Sequence, residues 1–165
     1  MTRTAPLLLA AFCGACASTG AVPRPFPTSG PVGPADSPSP APTHFDGYAL
    51  VGTALALRGV PYRNGGSDPQ GFDCSGFTQY VFAQYGVALP REVREQFEQG
   101  RAVKPVEVAP GDLIFFSTVA PGPTHVGIAI GGDEFVHAPS STGVVRVERL
   151  GSSYWAPRYV GARRL

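Results

Sequence analysis

Gly71-Phe72-Asp73-Cys74-Ser75-Gly76-Phe77 sets a cysteine at the junction between turn formers and an apolar stretch with helical spacing. A thiol at that position faces unpaired backbone N–H groups and the positive end of the helix dipole. Both favour the thiolate. His125 and His137 follow downstream as natural partners for a nucleophilic Cys74.

The helix predicted from this stretch runs from Ser75 to Tyr85, with Phe77, Tyr80, Val81 and Tyr85 near helical spacing and Gly86 as its C-cap. Upstream, Tyr62 to Phe72 contains Gly65-Gly66 and Asp68-Pro69 and reads as a loop. Tyr48 to Leu57 is rich in Ala and Leu and reads as a helix ended by Gly59 and Pro61. Glu92 to Glu98 reads as a short helix after Pro90. Beyond it, Pro110-Gly111-Asp112 turns the chain into an apolar strand, Leu113 to Phe116. His125 to Ile130 and Glu134 to Ala138 read as strands around Gly131-Gly132-Asp133, and Val144 to Leu150 and Tyr159 to Arg164 as two more. Helices come first and strands follow. That order predicts an α+β fold with N-terminal helices packed against a mostly antiparallel sheet of about five or six strands.

The hairpin can be tested for geometry. A three-residue turn sets Ile130 opposite Glu134 and Gly127 opposite His137, so that His125 and His137 share a face as diagonal neighbours. A two-residue turn at Gly131-Gly132 would put them on opposite faces. The predicted site needs the longer turn, with Val126, Ile128 and Ile130 on the core face.

The N-terminal part reads differently. Residues 1–15 form a short leader, with Arg3 ahead of the apolar run Ala5 to Phe12 and small residues Gly14-Ala15 at the cleavage point. Cys16 follows directly, as in a bacterial lipoprotein signal, although Cys13 stands where Leu is commonest. Residues 16–43 carry the lipidated Cys16 and a tether with eight prolines between Ala17 and Thr43, a composition that cannot bury a core. The folded domain is then expected over residues 44–165. With Cys13 removed and Cys16 acylated, Cys74 is the one thiol left free in an oxidising compartment, which points to intermolecular pairing or to a reactive thiol. A net charge of +1 gives no sign of nucleic-acid binding.

A thiol nucleophile needs a base within hydrogen-bond reach and a third group to orient that base. Cys74, His125 and His137 fill those roles in order. Backbone N–H groups at the helix start can polarise a substrate carbonyl. Tyr62 can add a phenolic donor, Asp73 can pair with a substrate amine, and Ser75 can hydrogen-bond in the same cleft. Cys and two His could also bind zinc, but no fourth ligand has sensible spacing, so neither metal nor cofactor is expected.

Pro61-Tyr62-x-x-Gly65-Gly66, Asp73-Cys74-Ser75-Gly76-Phe77, Leu89-Pro90-Arg91, Pro110-Gly111-Asp112-Leu113, His125-Val126-Gly127-Ile128 and His137-Ala138 occur in this order. Together they resemble the NlpC-type cell-wall cysteine peptidase family over about Ala49 to Val147. The resemblance implies a papain-like core, with Cys74 as nucleophile, His125 as base and His137 as orienting residue. Tyr62, Asp73 and Ser75 match positions linked to the oxyanion or to substrate contact. It implies hydrolysis of an amide in peptidoglycan stem peptides, next to D-glutamate or diaminopimelate. Arg91-Glu92-Val93-Arg94 departs from the Ser or Thr often found shortly after Leu-Pro-Arg. The expected setting is the bacterial cell envelope: a monomer exported to the periplasm and anchored by lipid, at the outer membrane. Two rival functions share these residues, a catalytically decayed peptidoglycan-binding scaffold lipoprotein and a thiol-dependent acyl or peptidyl transferase. A thiol pKa well below 8 is the expected mark of a working site.

Overall fold

A computed structural model describes residues 45–165. The leader (1–15), Cys16, the tether (16–43) and the domain start at 44 lie outside those residues.

The helices form where capping and apolar spacing agree. α1 (Gly47–Ala56) starts at Asp46, whose carboxylate accepts from Tyr48 N at 2.9 Å. It buries Leu50, Val51 and Ala54. α2 (Cys74–Ala83) begins at the cysteine itself, one residue earlier than predicted, because Asp73 is its N-cap. α3 (Val93–Phe97) is one short turn pinned through Gln96, a fully buried amide.

The predicted loop before Cys74 holds a two-stranded ribbon, β1 (Ser67–Asp68) and β2 (Gly71–Phe72). The main sheet contains β3 (Arg101–Val103), β4 (Leu113–Phe116), β5 (His125–Gly131), β6 (Glu134–His137), β7 (Arg146–Arg149) and β8 (Tyr159–Arg164). Its order is β3-β8-β4-β5-β6-β7, and every pair is antiparallel. The fold is α+β with six strands, as the order of elements predicts. β3 was not predicted, and β7 is shorter than expected because Val144 instead forms a bridge with Pro61.

β4 reads Leu-Ile-Phe-Phe because both faces of the sheet are covered. Leu113 and Phe115 join Val126, Ile128 and Val136 in the core beneath α1 and α2. Ile114 and Phe116 point the other way, into a second apolar cluster with Ala129, Phe135, Trp155 and Ala162. Asp112, which precedes β4, is nearly fully buried. It forms a two-pronged ion pair with Arg164 of β8, at 2.7 Å on each oxygen, and accepts Ala109 N at 2.8 Å. The Pro-Gly-Asp turn thereby locks β8 beside β4.

The β5–β6 hairpin corrects the sequence expectation. Gly131 pairs with Glu134, so the turn is the two residues Gly132-Asp133. Ile130 is the extra residue of a bulge between Ala129 and Gly131. Gly131 and Gly132, at φ 108° and 60°, make this path accessible. The bulge restores the register that a longer turn would have given, with Ile128 opposite Val136. Gly127 consequently passes so close to β6 that a Cβ there would lie 3.0 Å from the Cβ of His137.

Gly76, in the first turn of α2, has no room for a side chain: a Cβ would sit 2.0 Å from Gly66 O. Gly76→Ala is expected to destabilise the domain by about 1–3 kcal/mol. Gly52→Ala, on an open face of α1 with nothing within 4 Å, is expected to stabilise it by about 0.4–1 kcal/mol. Urea unfolding midpoints of the two variants test this opposite pair of signs.

Candidate active site

The site is assembled around the Asp73 carboxylate. Its Oδ1 accepts from Gly76 N at 2.8 Å and from the Ser75 hydroxyl at 3.4 Å. Its Oδ2 accepts from Gly65 N at 3.0 Å and forms an ion pair with the Arg91 guanidinium. Arg91 also donates to Ser75 Oγ at 2.6 Å. Asp73 and Ser75 are both buried, and both oxygens of Asp73 are engaged inside the protein. A substrate amine would have to displace Arg91 to pair with Asp73 as the sequence suggests.

The Leu89-Pro90-Arg91 stretch is held to α2 by side-chain amides. Gln79 donates to Leu89 O at 2.8 Å, while Gln96 donates to Pro90 O at 2.8 Å and Ser75 O at 3.1 Å. The Thr78 hydroxyl donates to the oxygen of Gln96 at 2.7 Å. Gln96 is a residue the sequence did not flag, since a glutamine in a short polar helix carries no local signal.

Cys74 is partly buried at the N-terminus of α2, and backbone amides of Val126, Ser75 and Cys74 itself act on its sulfur. Val126 is on β5, next to His125. Tyr62 is half-buried beside it, with its backbone N donating to Gly143 O at 2.7 Å. Burial raises the Tyr62 phenol above its ordinary pKa, and the neighbouring Cys74 and Asp73 raise it further.

His125 and His137 meet as the register requires. His125 Nε2 and His137 Nδ1 are 2.7 Å apart. Both rings sit in an aromatic box: Trp155 stacks on His125 at 5.4 Å, and Phe135 lies 4.6 Å from His137. Trp155 is a wall of this box. Its indole N–H donates to Glu148, which lies 3.7 Å from His137 Nε2.

Burial controls the electrostatics. It pushes His125 down to about 4. His137 falls to about 2, mainly through burial and then through the proximity of His125 and Arg146. Cys74 is pushed up to about 11, by burial first and by Asp73 second, while the backbone amides pull weakly the other way. Loss of hydration thus opposes the pull of the helix terminus on this sulfur. Among the described residues, no hydrogen bond joins the thiol to His125. The resting site therefore pairs a neutral thiol with neutral imidazoles.

The model of the NlpC/P60 family matches residues 59–164. Gamma-DL-glutamyl hydrolase of Bacillus subtilis is 42% identical over 120 residues, 70% of this chain and 29% of that protein. Murein DD-endopeptidase MepS/Murein LD-carboxypeptidase of Escherichia coli K12 is 46% identical over 109 residues, 66% of this chain and 57% of that protein. The chain thus spans less than two thirds of these relatives. Among solved structures, an NlpC/P60 family protein from Bacillus cereus aligns with a TM-score of 0.69 at 34% identity, covering 73% of this chain and 40% of that one. The NlpC/p60 domain of the peptidoglycan hydrolase SagA aligns at 0.66 and 35% identity, covering 73% of this chain and all (100%) of that one.

The histidine pair makes stability depend on pH. Unfolded histidines titrate near 6.5, whereas the folded pair stays neutral to about 4 and below. Between those values the unfolded state binds more protons, so stability falls as pH drops from 6.5 toward 4. The slope is up to roughly 1.4 kcal/mol per pH unit for each histidine. Urea unfolding at pH 7, 5.5 and 4.5 measures it, and His137→Gln should flatten the dependence.

Proposed function

We propose that this chain, which belongs to the NlpC/P60 family, is a cell-wall hydrolase that cuts an amide bond in peptidoglycan stem peptides through Cys74. The observation that carries this reading is the thiol at the N-terminus of α2, the helix packed on β5, together with the linked His125–His137 pair whose first member opens that strand. The names of the relatives, a gamma-DL-glutamyl hydrolase and a murein DD-endopeptidase/LD-carboxypeptidase, support the substrate class, and a bond next to D-glutamate or diaminopimelate is the finer part of the proposal.

The chemistry follows from the neutral resting pair. With His137 Nδ1 accepting, His125 Nε2 carries its ring proton, and its Nδ1 lone pair is free to take the proton of Cys74. That transfer accompanies attack of sulfur on the substrate carbonyl, because a thiol pushed up to about 11 does not ionise beforehand at neutral pH. The oxyanion forms at the α2 N-terminus, where backbone N–H groups converge, with the Tyr62 phenol adjacent. As the C–N bond breaks, His125 returns its proton to the leaving amine. A water then adds to the thioester while His125 takes one of its protons. Collapse releases the carboxylic acid and the regenerated thiol. His137 holds the tautomer of His125 throughout.

The finer expectations complete the proposal. Export to the cell envelope with a lipid on Cys16 would confine the domain to the periplasmic face of the outer membrane and set it against the cell wall. A monomer suffices, because every residue of the site comes from one chain.

The raised thiol pKa favours one alternative, the decayed scaffold, which binds sacculi without turnover. An amine in place of water in the second step would make the protein a transferase, and an added amine acceptor captured in the product would reveal it.

Purified sacculi digested with the protein are expected to release muropeptides whose masses identify the bond, and Cys74→Ala is expected to abolish release. Undiminished release by that variant overturns the thiol mechanism. Sacculus binding without release by the parent protein establishes the scaffold reading instead.

A further inference from the structure

His137 is fully buried, and its Nε2 has no hydrogen-bond partner. Leaving such a group unpaired costs about 1–3 kcal/mol. The neighbouring acceptor is Glu148 Oε2, 3.7 Å away. Glu148 lies on β7, opposite Phe135 and diagonal to His137, on the same face of the sheet. Its carboxylate is held from two sides: Oε1 pairs with Arg146 Nε at 3.1 Å, and Oε2 accepts the indole N–H of Trp155.

We propose that Glu148 is a positioning residue that extends the Cys74, His125 and His137 series by a fourth member; this rests on the thiol mechanism above. Closing the gap from Glu148 to His137 Nε2 fixes a proton on that nitrogen. His137 Nδ1 is then a lone pair that accepts from His125 Nε2–H. His125 Nδ1 is in turn a lone pair, the form that can receive the thiol proton. One carboxylate thus sets the tautomers of both rings. No atom is gained or lost in this arrangement; the proton that moves is the one that passes between Cys74 and His125.

Glu148 acts on charge as well. The groups that face the histidine pair are Arg146 and Glu148 on β7 and the uncharged aromatics Phe116, Phe135 and Trp155. The Arg146 cation opposes protonation of His137. The Glu148 carboxylate, placed between them, offsets that opposition and stabilises the imidazolium formed when His125 takes the proton. An orienting histidine alone offers no such counter-charge. Long polar contacts of this kind in a substrate-free site tighten into hydrogen bonds when charge develops.

The test uses Glu148→Gln in the full chain, with muropeptide hydrolysis and iodoacetamide alkylation of Cys74 read against pH. Gln has the same shape and keeps an acceptor for Trp155 but carries no charge. Expected are a fall in kcat of roughly tenfold or more with KM nearly unchanged, and a downward move of the alkylation midpoint by up to about one pH unit, because the thiol then ionises beside neutral imidazoles with one negative charge fewer nearby. Glu148→Asp, which restores the charge, is expected to recover part of kcat and shift the midpoint back. Parent-like kcat and alkylation in Glu148→Gln overturn the proposal. So does a loss shared equally by Gln and Asp with an unmoved alkylation profile, which marks a purely structural role. If Cys74→Ala is inactive while Glu148→Gln is unaffected, only the role of Glu148 falls; an active Cys74→Ala removes the mechanism itself.

Discussion

The Asp73 carboxylate is the junction on which the site depends. It caps the helix that carries Cys74, ties down the Gly65 loop, and holds Arg91 and Ser75 in one cluster. Four donors converge on two buried oxygens, so the charge is satisfied by partners that come from three separate stretches of chain. Such an arrangement leaves few orientations for α2, because each donor constrains it from a different direction. Gly76 and Gly66 allow the close approach this requires, with backbone against backbone where any Cβ would intrude.

Across the cleft the logic is reversed. Asp73 is a buried charge with full pairing, whereas His125 and His137 are buried bases kept neutral by an aromatic surround. A site at rest with no separated charge avoids the desolvation cost of an ion pair. It must then create charge during the reaction, and the groups that meet that charge decide the rate. On one side these are the α2 backbone amides, and on the other the histidine pair with whatever lies behind it.

Much of this was legible locally. The cysteine after an Asp cap, the apolar β4 and the two histidine strands each carry their signal within a few residues. So does the α+β order of elements. The shared face of His125 and His137 was legible only as a condition on the turn. The condition was met by another route, a bulge at Ile130, because two adjacent glycines allow more than one hairpin path. The burial that opposes ionisation of the thiol could not be read from sequence, because a helix dipole is a local property and burial is not. Trp155 and Glu148 were invisible for the same reason. Val144 to Leu150 reads only as a strand, and only the tertiary fold brings its Glu148 against a ring from β6.

The strand order has a consequence for how the domain is made. β4, four apolar residues in a row, lies between β5 and β8. β5 follows it closely in the chain, but β8 begins at Tyr159, after β5, β6 and β7 have all appeared. During synthesis β4 therefore waits with one bare edge, a template for pairing with other chains. Closure depends on a contact between distant parts of the sequence, which slows folding. The Asp112–Arg164 pair is the latch that ends this exposed interval, so the last strand to emerge is also the one that protects the chain from aggregation.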